Sequence, residues 1–166
     1  MKKLTKQHSN GKIVIENEID PNFDWSLIPE KVQETCMNWF LKSACIREVL
    51  PRIYLELCLV SCHKFMQRKV QQSDLMRLAK MVRGIAEPLC ASYTAAYLAR
   101  VGQSIDPENK EYLIILVQFS FLILEKAMKD GNSNCQSLDE YYSLFEPSID
   151  WLFQCLGYGG SKKLFA

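Results

Sequence analysis

The sequence predicts an all-α chain. Hydrophobic residues recur at helical spacing through most of its 166 residues, and Pro and Gly stand between the periodic stretches. No Asn-Gly or Asp-Gly pair is read as separating two alternating runs in the manner of a β-hairpin. Asp130-Gly131 leads into polar Asn132-Ser133-Asn134-Cys135-Gln136-Ser137 and reads as a loop.

The elements follow in order. Residues 1–28 read as a leader, partly flexible, in which Ile13-Val14-Ile15 could form a short strand without an obvious partner. A first helix is predicted over Glu30–Ile46, with Val32, Cys36, Phe40 and Ala44 recurring every four residues. A second, over Pro51–Gln67, is strongly apolar through Ile53, Leu55, Leu57, Leu59 and Val60. A third opens near Ser73, a residue type suited to an N-cap. A fourth covers Pro88–Val101, a fifth runs from Asp106-Pro107 to Met128, a short sixth covers Asp139–Phe145 and a seventh Pro147–Leu156. Pro29, Pro51, Pro88, Pro107 and Pro147 each stand at a predicted helix start, where the missing N–H costs nothing. Gly102, Gly131 and Gly157 are read as left-handed caps just past helix ends. Successive helix pairs take about 40 residues, the spacing of HEAT-type repeats. Without a repeated sequence, periodicity leaves a bundle and an α-solenoid equally open.

Composition bounds the function. Hydrophobic residues make up 48% and charged residues 23%, ordinary values for a folded domain. Net charge is +1, so nothing in the whole-chain balance points to nucleic acid. The charge lies in blocks of alternating sign: +4 over residues 1–12, −5 over 13–40, +6 over 41–100 and −4 over 101–166. Such blocks suit a scaffold with charged neighbours, and equally a solvated surface with local pairs. The apolar run Tyr112–Leu124 is interrupted by Gln118 and Ser120, so it reads as a buried helix instead of the roughly 20 apolar residues a membrane span needs.

Chemistry-bearing motifs are not found. There is no Gly-rich phosphate loop, nucleophile elbow or His-Glu-x-x-His pair, so no catalytic residue is assigned and an enzyme is not expected. The seven cysteines are scattered and follow no secretory segment, so they read as reduced core residues. Cys58, Cys62 and His63 lie within a helical turn or so, but a zinc site wants further ligands at matching spacing, so no metal or cofactor is assigned. A compact bundle with a small-molecule or metal-binding role is the alternative these residues keep open. Arg68-Lys69, Arg77, Lys80 and Arg83 make a basic stretch without interleaved aromatics, which supports a nucleic-acid groove only weakly.

Two local features stand out. Arg52 directly follows Pro51 within a very apolar helix, where a cation is mildly unfavourable near the N-terminus, so a carboxylate on a neighbouring helix or another chain is expected to hold it. Arg83-Gly84 ends one helix before the next begins, and Gly84 suits a close helix crossing.

At these residues the chain resembles a known family. Ile46-Arg47-Glu48-Val49-Leu50-Pro51-Arg52-Ile53-Tyr54-Leu55-Glu56, Cys62-His63-Lys64-Phe65, Met81–Leu89, Ala96–Gly102 and Ile149–Leu156 stand in the order of blocks in the large α-solenoid subunit of retromer, and most closely in its retriever branch. The resemblance spans roughly Asn38 to Leu156. It implies a HEAT-like α-solenoid of antiparallel helix pairs over residues 29–157, with no catalysis and no cofactor. It implies a scaffold of an endosomal coat in the cytoplasm, peripheral on endosomes, meeting membranes, other coat subunits and cargo adaptors only through partners. It also implies that the Pro51-Arg52-x-Tyr54-Leu55 stretch attaches an arrestin-like small subunit, with Pro51, Arg52, Tyr54 and Leu55 as the site residues. Family members are several times longer and carry a longer leader in the retriever branch. The chain therefore reads as truncated, with residues 158–166 a flexible tail and apolar surface exposed near Trp151 and Leu152.

Overall fold

The computed structural model describes residues 5–7, 13–15, 24, 27–66, 72–130 and 138–158. Among these, seven α-helices dominate: α1 (Glu30–Ala44), α2 (Val49–Val60), α3 (Gln72–Val82), α4 (Pro88–Ile105), α5 (Glu111–Asp130), α6 (Leu138–Ser143) and α7 (Glu146–Gly157). A 3-10 turn, Ser61–Met66, extends α2. The fold is all-α and solenoid-like: α1 packs on α2, α2 on α3, α3 on α4 and α4 on α5, and α7 closes against α4 and α5.

Boundaries differ from the sequence expectation for identifiable reasons. The second helix starts at Val49, ahead of Pro51, because the third helical residue still needs no intrahelical N–H partner; the Arg52 amide is the first to reach back, to Glu48 O at 3.2 Å. The fifth starts at Glu111, since Pro107 sits in a turn closed by the Asn109 amide on Asp106 O at 3.3 Å. Ser73 lies inside the first turn of α3 and not at its cap. Glu87 caps α4 instead of a Ser or Asp, its carboxylate accepting from the Leu89 and Cys90 amides, with Pro88 at the first helical position. The Arg68-Lys69 pair, the Gly131 cap, the following loop and all of the tail but Tyr158 lie outside the described residues.

Two glycine assignments are corrected. Gly102 is buried inside α4, which continues to Ile105. It is there because α5 approaches: a Cβ on Gly102 would lie 2.6 Å from Cζ of Tyr112. Gly157 ends α7 within the helix, and the capping residue is Tyr158 in extended conformation. Gly84 meets the expectation of a close approach, since an added Cβ would touch Met81 O at 3.3 Å and Val49 Cγ2 at 3.4 Å.

The predicted strand over Ile13–Ile15 does have a partner. It pairs antiparallel with Thr5–Gln7, Thr5 facing Ile15 and Gln7 facing Ile13. The signal stands in the sequence, because Asn10-Gly11 falls between the two strands.

The core runs through Ile53 and Leu57 of α2, Leu75, Leu78 and Val82 of α3, Ala91, Ala95, Leu98 and Ala99 of α4, Tyr112, Leu113 and Leu116 of α5, and Phe145 and Leu152. The alanine-rich α4 lets α3, α5 and α7 approach it together. Ser92 and Ser148 add a buried hydroxyl pair at 2.6 Å across α4 and α7; Ser148 donates to Phe145 O at 2.8 Å, which leaves Ser92 the donor between them.

Lys110 fastens the end of α7. Its ammonium is 7% exposed as a residue and donates to Cys155 O at 3.0 Å, to Tyr158 O at 2.7 Å and to the Gln103 side chain. A cation is favourable where helix carbonyls lack partners. The exposed apolar surface expected near Trp151 and Leu152 is present at Trp151, whereas Leu152 itself is buried in the core. Phe121 of α5 and Phe153 of α7 are also exposed and meet edge-on. Among the described residues no helix is long and apolar enough to cross a membrane.

Candidate partner-binding site

Helical spacing sorts the residues of α2. Ile53, Leu57 and Val60 recur as i, i+4, i+7 and are buried. Pro51, Leu55 and Cys58 share the opposite spacing and are exposed, Leu55 at 47%. Tyr54, at 36%, lies on the flank toward α4, where its ring stacks on Tyr97 with centroids 5.0 Å apart and planes 18° apart. Thus Pro51 and Leu55 face solvent, and Tyr54 is shared between solvent and the packing beneath.

Arg52 does have a carboxylate partner, but on its own helix instead of a neighbouring helix or another chain. Its Nε donates to Glu56 Oε1 at 2.7 Å, one turn on. Glu56 is only 4% exposed and also accepts from Arg77 Nη2 of α3, at 2.5 Å. Burial pushes the Glu56 carboxyl up, but the bonds and charges of Arg77 and Arg52 outweigh it and hold the group below the usual carboxylate range. One buried carboxylate therefore orients two partly exposed guanidinium groups. The i, i+4 spacing of Arg52 and Glu56 is visible in the sequence. Arg77 is not, because α3 reaches it only through the fold.

The aromatic surface continues beyond α2. Tyr93 and Tyr97 are one turn apart on α4. Trp151 of α7, 39% exposed, meets Tyr93 edge-on at 6.4 Å and lies 4.8 Å from the Arg100 guanidinium. The Tyr93 hydroxyl donates to Leu144 O at 3.0 Å. Tyr54, Tyr97, Tyr93, Trp151 and Arg100 thus form a continuous strip over α2, α4 and α7. Surfaces of this composition are enriched at protein interfaces.

The other sequence-selected groups do not assemble. Cys58, Cys62 and His63 differ in setting: Cys58 is exposed, Cys62 is partly buried, and the His63 ring meets Phe40 of α1 edge-on at 4.7 Å. Among the described residues no three His, Cys, Asp or Glu side chains are grouped to hold a metal ion. Of the basic stretch, Arg77 is committed to Glu56, and Arg83 lies over the Phe119 ring at 5.8 Å. An open depression lined by Ser73, Met76, Arg77, Lys80 and Met81 lies on α3.

Comparison with known proteins places the chain. The family model described as VPS35L matches residues 1–144. The human protein named "VPS35 endosomal protein-sorting factor-like" is 38% identical over 141 residues, covering 81% of this chain and 14% of its own length. The protein of that name from Danio rerio is 36% identical over 142 residues, and a similarly named one from Dictyostelium discoideum 37% over 147; each match covers 82% of this chain and 15% of the relative. The chain thus spans about a seventh of the length of these relatives. By the match over most of its length, the chain belongs to the VPS35L family.

Proposed function

We propose that this chain is a non-catalytic scaffold segment in endosomal protein sorting, of the retromer-like, retriever type. The names of its relatives supply the process. The observation that carries the reading is the exposed edge of α2, where Pro51 and Leu55 stand beside an Arg52 already oriented by Glu56. A pre-oriented guanidinium loses less freedom on binding, and its five N–H donors allow further bonds to a partner. The partner proposed for this edge is an arrestin-like small subunit, with Pro51, Arg52, Tyr54 and Leu55 as the contact residues. Other coat subunits, cargo adaptors and the endosomal membrane are then reached through partners, from the cytoplasm.

Leu55→Asp tests the assignment, because Leu55 is exposed and its replacement leaves the core intact. Pull-down of the arrestin-like subunit should fall at least tenfold while helicity by circular dichroism is unchanged. Undiminished capture by both Leu55→Asp and Arg52→Ala removes the site from this edge.

A further inference from the structure

Helix α3 carries a concave basic face distinct from the edge formed by Pro51 and Leu55. Ser73, Arg77 and Lys80 recur as i, i+4, i+7 and are exposed, so they share one side of the helix. Met76 and Met81, both partly buried, stand on the two flanks of that row. Together the five residues line an open depression of about 460 Å³. The Arg77 guanidinium is held twice over: Nη2 donates to Glu56 Oε2 at 2.5 Å, and Nη1 to the Met81 sulfur at 3.3 Å. Its side chain is nevertheless 47% exposed, which leaves N–H donors for a ligand. Lys80 is exposed and joins no ion pair among the described residues.

We propose that this depression docks an acidic segment of another protein, one that carries carboxylates beside an apolar side chain. Charge complementarity selects the occupant. Among the described residues, the charged side chains that line the depression are both cations. Glu56 is buried and divided between Arg77 and Arg52, and Asp74 does not line the depression. The stretch 41–100 carries +6, a field that draws acidic partners toward it. Arg77 is already oriented, so its fork can meet a carboxylate with little further loss of freedom. The two methionines supply the other half of the match, because a flexible, polarizable thioether adapts to apolar side chains of varied shape.

Other anionic partners fit less well. No aromatic side chain among the described residues lines the depression, so bases of a nucleic acid would have nothing to stack on. Anionic lipid surfaces are read by clusters of four to eight cations; here two cations border a hollow. The inference stands apart from the proposal for Pro51 and Leu55, because the lining residues all belong to α3 and either reading can fail without the other.

The test uses the full chain and a fluorescent peptide of Glu-Glu-Leu repeats, with its Gln-Gln-Leu counterpart and phosphatidylserine vesicles as the alternatives. Fluorescence anisotropy should show saturable binding of the acidic peptide that weakens as salt is raised. Lys80→Glu should weaken it at least roughly tenfold. Lys31→Glu, the same charge change at an exposed position of α1, should bind as the wild type does. With the methionine methyl groups isotopically labelled, the acidic peptide should shift the resonances of Met76 and Met81 in the wild-type chain, a reading that decides alone should Lys80→Glu unfold. Equal binding of the Gln-Gln-Leu peptide, undiminished binding by folded Lys80→Glu, shifts confined to other methionines, or capture by the vesicles without capture of the peptide overturns the proposal.

Discussion

Arg77 of α3 donates at 2.5 Å to the buried carboxylate of Glu56 on α2, joining consecutive helices at a single charged contact. Arg52 holds the other carboxylate oxygen. Loss of the negative charge strands two guanidinium groups at once, each only partly able to turn to water. Glu56→Gln is expected to destabilise the fold by about 1–3 kcal/mol, measured by urea unfolding at pH 7.

The same contact sets a pH dependence. The folded-state value of Glu56 is lowered, so its stabilisation is complete above the unfolded value of about 4.3 and is lost as pH falls through the folded value. The stability gap between the wild type and Glu56→Gln should therefore be constant from pH 7 to about 5 and shrink below it. A gap independent of pH down to 3 would show that the carboxylate charge contributes nothing.

Gly102 and Gly157 should respond differently to the same substitution. Gly102→Ala drives a methyl group into Tyr112, which is held by its hydroxyl donating to Ala99 O at 3.2 Å. The overpacking should cost about 1–3 kcal/mol, against the roughly 1 kcal/mol that Ala otherwise gains in a helix. Gly157→Ala meets no atom within 4 Å and should leave the melting temperature within about 2 °C of the wild type. Thermal melts of the two variants side by side check both.

Lys110→Met keeps the apolar stem but removes the donor that Cys155 O and Tyr158 O share. A loss of about 1–3 kcal/mol is expected. Amide exchange should speed up first in the last turn of α7, before the rest of the fold is affected.

Glu87→Ala removes the carboxylate that receives the Leu89 and Cys90 amides at the start of α4. Burial pushes this carboxyl up, but the two amides, with the Cys90 thiol, hold it below its ordinary value. The cap should contribute about 1 kcal/mol at pH 7 and fade as pH falls through its folded value. Chemical denaturation at pH 7 and pH 3 should give a smaller difference between wild type and variant at the lower pH.

Much of this was legible along the chain. The i, i+4 repeat of Val32, Cys36, Phe40 and Ala44 does fall on a helix, and the apolar run from Tyr112 is α5. Which side of α2 is exposed was not legible: Ile53, Leu55 and Leu57 are all apolar, and only the fold buries Ile53 and Leu57 and leaves Leu55 outside. Less legible were the ends. Gly102 reads as a stop signal by its type, yet it is a notch for a ring ten residues further on. Pro107 reads as a helix start, yet the chain first makes a turn.

By itself the sequence determined the all-α class and the order of the helices. Each depends on periodicity and propensity within a few residues. Tertiary structure alone decided that Arg77 closes on Glu56, that Tyr112 fills the space over Gly102 and that Tyr54 stacks on Tyr97. Those contacts join different helices, and their geometry is set by how neighbouring helices cross and pack, which no spacing within one helix encodes.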